Sequence, residues 1–90
     1  MPSVLRFHDR DWRTVNVQIR QGNDPVPEKN RSLGTVQLNL DQTYDVVGDE
    51  NVWYRRDANP DNPDGSWTMW TLRVIYGPPA APQDLTEELG

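Results

Sequence analysis

Val15, Val17 and Ile19 alternate without a break with Thr14, Asn16, Gln18 and Arg20. A two-residue period puts successive side chains on opposite faces of an extended strand, and no helical period fits this run as well. The same alternation returns at residues 34–40, where Val36, Leu38 and Leu40 oppose Thr35, Gln37 and Asn39. Each strand is apolar on one face and rich in amides and hydroxyls on the other. Two such strands need a second layer to cover the apolar side, which confines the chain to a layered β fold.

Turn residues punctuate the remainder at strand-length intervals. Residues 3–7 (SVLRF) form a candidate strand with Leu5 and Phe7 on one face, and His8-Asp9-Arg10-Asp11 reads as a polar turn. Residues 21–33 contain Gly22, Asn23-Asp24-Pro25 and Pro27, so they read as a long loop. Further strands are expected at 43–47, 52–56 and 67–76. Gly77-Pro78-Pro79 stops the last of these, because proline cannot donate to a ladder. Asp84-x-x-Glu87 resembles a helix cap, but the segment after it is too short to hold a helix without docking. The expected fold is all-β: a small antiparallel β-sandwich, or partly open barrel, of about six strands. It occupies residues 1–77 as a single domain, with residues 78–90 a disordered, Pro-rich acidic tail. The expected core layer is Val15, Val17, Ile19, Val36, Leu38, Leu40, Tyr44, Val46, Leu72 and Val74.

Composition narrows the function classes. Hydrophobic residues make up 34% of the 90-residue chain, below the usual globular share, yet they cluster in alternating runs with four tryptophans, which favours folding. Without cysteine the chain has no disulfide, no thiol nucleophile and no Cys-ligated metal. It has no apolar run of membrane-spanning length and none near Met1 that suits a signal peptide. Read with Met1 as the native start, it is expected to be cytoplasmic and not associated with a membrane. The formal net charge is −5, and it is unevenly spread. Residues 1–31 carry six basic and four acidic groups (+2), and residues 32–90 carry three basic and ten acidic groups (−7). A nucleic-acid binder draws most of its affinity from a basic stripe, which this chain lacks.

Residues 51–75 hold three of the four tryptophans, Trp53, Trp67 and Trp70, together with Arg55-Arg56 and a loop of Asp, Asn, Pro and Gly. They read as a long β-hairpin. On an extended second arm, Trp70, Leu72 and Val74 share one face, expected to join the core, while Trp67 and Arg73 share the other. Trp53, Arg55, Trp67 and Arg73 then form a candidate ligand-binding face, in which indoles stack on a sugar ring or peptide and Arg supplies charged hydrogen bonds. The same arrangement also serves simply to cover surface Trp with Arg stems. In the loop, Asp57, Asn59, Asp61 and Asp64 have the oxygen ligands and opening spacing of a calcium loop. The match then fails, since glycine falls at the ninth position (Gly65) instead of the sixth and Thr68 replaces the closing Glu. Asn59-Pro60, Asn62-Pro63 and Asp64-Gly65 are also turn formers, and the turn reading is preferred. No other cofactor is implied.

His8 has acidic neighbours but no nucleophile in any motif context, so it reads as a solvated loop histidine. Asn30-Arg31-Ser32 matches a glycosylation acceptor by chance pattern alone. With no phosphate loop, His cluster or buried carboxylate pair, the chain is not expected to be an enzyme. The expected function is a non-catalytic recognition module for a carbohydrate or protein surface, acting through the aromatic/Arg hairpin face. One alternative is a structural or assembly subunit that self-associates through a sheet edge. Another is an acidic inhibitor of a basic partner, built on the seven carboxylates of residues 41–64.

Overall fold

The computed structural model describes residues 3–9, 14–39, 42–75 and 82–89. Among these residues, seven strands form two sheets. Strands β1 (Ser3–Asp9), β4 (Thr43–Gly48) and β7 (Asp84–Leu89) make a three-stranded sheet in the order β4-β1-β7. Strands β2 (Thr14–Gln21), β3 (Arg31–Asn39), β5 (Val52–Arg56) and β6 (Thr71–Arg73) make a four-stranded sheet in the order β3-β2-β5-β6. Neither sheet closes on itself among the described residues, and the two pack face to face on one core. No helix among these residues is long and apolar enough to cross a membrane.

The alternation of β2 survives intact: Val15, Val17 and Ile19 are fully buried while the residues between them face outward. From the opposite sheet, Leu5 and Phe7 of β1 and Val46 of β4 meet them, and Leu38, Val52, Tyr54, Ile75 and Leu89 complete the buried core. Burial of a side chain of this size contributes roughly 1.5–3 kcal/mol. Phe7 and Tyr54 join the sheets edge to face, with ring centroids 4.8 Å apart at 71°. At the rim of this contact the Tyr54 hydroxyl donates to Glu87 Oε1, and Arg73 Nη1 lies 3.6 Å from Glu87 Oε2. Burial, reinforced by that hydrogen bond to Glu87, raises the Tyr54 phenol well above its ordinary range.

Several expectations are corrected. The segment expected to be a disordered tail contributes β7, which pairs in parallel with β1 from Val4–Asp84 to Asp9–Leu89, so the three-stranded sheet is mixed. Leu85 packs on the core and Leu89 is buried, and this alternation of apolar positions carries the strand where a helix cap had been the visible signal. Residues 78–81 and 90 of that expected tail lie outside the described residues, as do Leu40 and Tyr76. The first strand continues through His8 and Asp9, so His8 sits on a strand, beside Glu88 of β7 at 3.6 Å. The long loop shortens: it includes a 3₁₀ turn at Pro27–Lys29, and β3 begins at Arg31.

Candidate functional site

The outward side chains of the four-stranded sheet come from β2 (Thr14, Asn16, Gln18, Arg20), from β5 (Trp53, Arg55) and from the register partners on either side. Antiparallel pairing sets Gln18 opposite both Thr35 and Arg55, and Arg20 opposite both Ser32 and Trp53. Between Ile19–Gly34 and Arg20–Ser32 the ladder skips Leu33, so β3 carries an extra residue there. Gly34 accommodates the bulge with φ 89°, a conformation side-chain-bearing residues rarely adopt, and space lies open where its Cβ would stand. A depression of about 140 Å³ occupies that place, lined by Gln18, Arg20, Ser32, Thr35, Arg55 and Trp70 together with Gly34 and Ile19.

Arg55 forms the wall of this depression. Its guanidinium carbon lies 4.5 Å from the ring centre of Trp70 and 5.3 Å from that of Trp67, and its Nε donates to Gln18 Oε1 at 2.7 Å. A regular strand would place residues 67 and 70 on opposite faces. Here, from the Tyr54–Thr71 pair to the Asp57–Trp67 bridge, β5 and its continuation advance three residues while the second arm advances four. That second bulge returns both indoles to the side of Arg55.

The connection between β2 and β3 supplies the rest of the frame. Asn30 is buried, and its side-chain amide closes the loop by accepting from Asp24 N at 3.0 Å and donating to Asp24 O at 2.9 Å. A Cβ on Gly22 would collide with it. The amide of the chance glycosylation pattern is therefore engaged inside the fold. The loop then presents the Glu28 and Asn30 carbonyls to Arg20 Nη1 at 3.2 and 2.9 Å, and the Glu28 carboxylate to Trp70 Nε1 at 3.0 Å.

Of the four residues expected on the recognition face, Trp53, Arg55 and Trp67 lie on it and Arg73 does not. The pairs Val52–Arg73 and Trp53–Leu72 put Arg73 on the inner side of β6, where it meets Glu87. The facing of the second arm is thereby reversed from that expected: Leu72 (42%) and Val74 (55%) are exposed, Ile75 (3%) is buried, and Trp70 stacks on Arg55 instead of joining the core. The parity of a strand read from sequence holds only while no bulge intervenes, and one does. Trp53 is half-buried, with an indole N–H that is enclosed and finds no hydrogen-bond partner among the described residues. Sequence reasoning missed Arg20, Gln18, Ser32, Thr35 and Gly34 as site residues. The amide- and hydroxyl-rich outer face of β2 and β3 was the signal that could have found them.

The acidic loop is built differently from a calcium site. Asp57 is buried, and its Oδ2 accepts from the backbone N–H and the side-chain amide of Asn16 at 3.0 and 2.9 Å. Its carboxylate thus pins the hairpin to β2. Asp64 accepts from Ser66 N at 3.0 Å, which caps the turn at Gly65 (φ 86°) and holds the Asp64 carboxyl below its ordinary range. Asn59 and Asp61 are exposed, and no cluster of three His, Asp or Glu side chains suited to a metal occurs among the described residues. The sequence-expected set Asp57, Asn59, Asp61 and Asp64 is not brought together as ligands.

A larger depression, of about 350 Å³, lies where β5, β6 and β7 meet the second arm, beside Tyr54, Arg56, Met69 and Glu88. Its polar groups are engaged in the fold: Tyr54 with Glu87, Arg56 with the Asp57 carbonyl, Glu88 with His8. The depression at the β3 bulge differs in bringing two guanidiniums, of Arg20 and Arg55, to one lining. Comparisons with protein families, curated proteins and solved structures find no match to this chain.

Proposed function

We propose that the chain is a non-catalytic recognition module that binds a carbohydrate or protein surface through the outer face of the four-stranded sheet. The observation that carries this reading is the Arg55 guanidinium set against Trp67 and Trp70 at the rim of a polar depression. Flat indole edges and charged donors held in place by Gln18 and the 22–30 loop are groups that grip a ligand at little entropic cost, because their positions are already set. The acidic-inhibitor alternative has less support. Asp45 pairs with Arg6 at 3.0 Å and Asp57 is buried, so two of the acidic groups of residues 41–64 are engaged within the fold.

Tryptophan fluorescence of the full chain tests the reading. A panel of oligosaccharides and immobilised proteins should contain a ligand that shifts the emission. Trp70→Ala should abolish the shift while circular dichroism stays that of the folded protein. If no ligand shifts the emission, and Trp67→Ala changes only the melting temperature, the aromatic face is structural and the proposal fails.

A further inference from the structure

Among the described residues, Arg20 and Arg55 have only neutral hydrogen-bond partners. Arg55 donates to the Gln18 amide oxygen, and Arg20 donates to two backbone carbonyls. No carboxylate among the described residues lies within ion-pair distance of either, although the chain carries 14 acidic groups against nine Lys and Arg. Of the carboxylates on this side of the sheet, Glu28 is held by the Trp70 N–H at the rim of the depression and Asp57 by Asn16. Gln18 pairs with Arg55 across the β2–β5 ladder, so Arg20 sits diagonally from Arg55, at roughly 7–8 Å in such a ladder. Both side chains line the same depression, and among the described residues each guanidinium leaves most of its five N–H donors unused. An anion between them offsets their like charge and fills those donors.

From this geometry, and resting on the recognition reading above, we infer that the depression binds a carboxylated carbohydrate, with a hexuronate carboxylate between Arg20 and Arg55. The carboxylate matches the planar guanidinium fork. The other lining groups match ring hydroxyls: Ser32 Oγ accepts from Gly34 N and keeps its O–H, Gln18 keeps its NH₂, and Thr35 adds a hydroxyl. Trp70 offers an aromatic surface. At about 140 Å³ the space admits one polar end of a ligand, and it lacks the apolar socket in which a peptide seats an anchor side chain.

The test is a calorimetric and NMR titration of the full chain with three probes: a short oligogalacturonate, its methyl ester, and an oligoglutamate peptide. The oligogalacturonate should bind, more weakly as salt is added, and should shift the amides of Gln18, Arg20, Thr35 and Arg55. Its methyl ester should bind about tenfold or more weakly, and Arg20→Gln and Arg55→Gln should each weaken the acid form by about tenfold to a hundredfold. Thr35→Val, on the exposed edge strand, should weaken binding with an unchanged melt, which keeps the test valid if an Arg variant is destabilised. Equal binding of ester and acid would overturn the carboxylate assignment and leave the recognition face standing. Tighter binding of the peptide would overturn the carbohydrate class. No response to any of the three probes would overturn this inference, whereas the recognition reading fails only if the wider ligand panel is silent too.

Discussion

The outer faces of the two sheets handle charge in opposite ways. On the three-stranded sheet, Arg6 of the central strand lies between Asp45 of β4 at 3.0 Å and Asp84 of β7 at 3.8 Å, and His8 neighbours Glu88. Each basic group described there has an acidic group on an adjacent strand, so its positive charge is answered within the face. On the outer face of the four-stranded sheet, among the described residues, Arg20 and Arg55 take neutral acceptors, and Glu28 and Asp57 take neutral donors. The same residue types therefore stabilise one face and leave the other electrostatically unfinished. Cross-strand pairs of opposite charge are one common means of sheet stabilisation, and that Arg20 and Arg55 forgo them among the described residues supports the recognition reading proposed above.

Removing the buried Asp57 carboxylate of the open face should have the largest effect. Asp57→Ala leaves the N–H groups of Asn16 without their charged acceptor and should cost about 1.5–3 kcal/mol in urea unfolding. A loss near zero would mean that the hairpin is not pinned through Asp57. Next comes the latch between the sheets. Because the folded state raises the Tyr54 phenol above its unfolded value, its stabilisation is complete below about pH 10 and declines as pH rises beyond that point. Melting temperature should fall with rising alkalinity, and Tyr54→Phe should flatten that fall while lowering stability near neutral pH by about 1 kcal/mol. An alkaline slope unchanged in the Phe variant would assign it to another group. The smallest effects separate the two faces directly. Arg55→Ala should cost about 0.5–1 kcal/mol through lost indole stacking and should red-shift tryptophan emission. Arg6→Ala should leave emission unchanged and give only a slight, salt-sensitive change in melting temperature. If the two variants behave alike, the contrast between the faces is not functional.

The legible part of the site was Trp53, Arg55 and Trp67, because Trp53 and Arg55 lie on a regular strand and Trp67 is bridged to its end. Arg73 was misplaced and Trp70 was assigned to the core, since the extra residue in the second arm inverts the facing of everything beyond it. Arg20 was written in the sequence as one more outward residue of β2, and nothing local marked it as unpaired. The loop carboxylates looked like ligands by spacing, but Asp57 turns to a strand that is 41 residues away in sequence.

By itself the sequence determined the strand character of β2, the inward set Val15, Val17 and Ile19, and the all-β class, because a two-residue period is a property of neighbouring residues. Tertiary structure alone decided the rest. Parallel pairing with β1 converts the expected tail into β7, the bulge at Leu33–Gly34 opens the depression, and long-range register determines which arginines meet carboxylates and which do not. Those outcomes depend on how strands far apart in the chain align, and a one-residue shift in alignment reverses every side chain that follows.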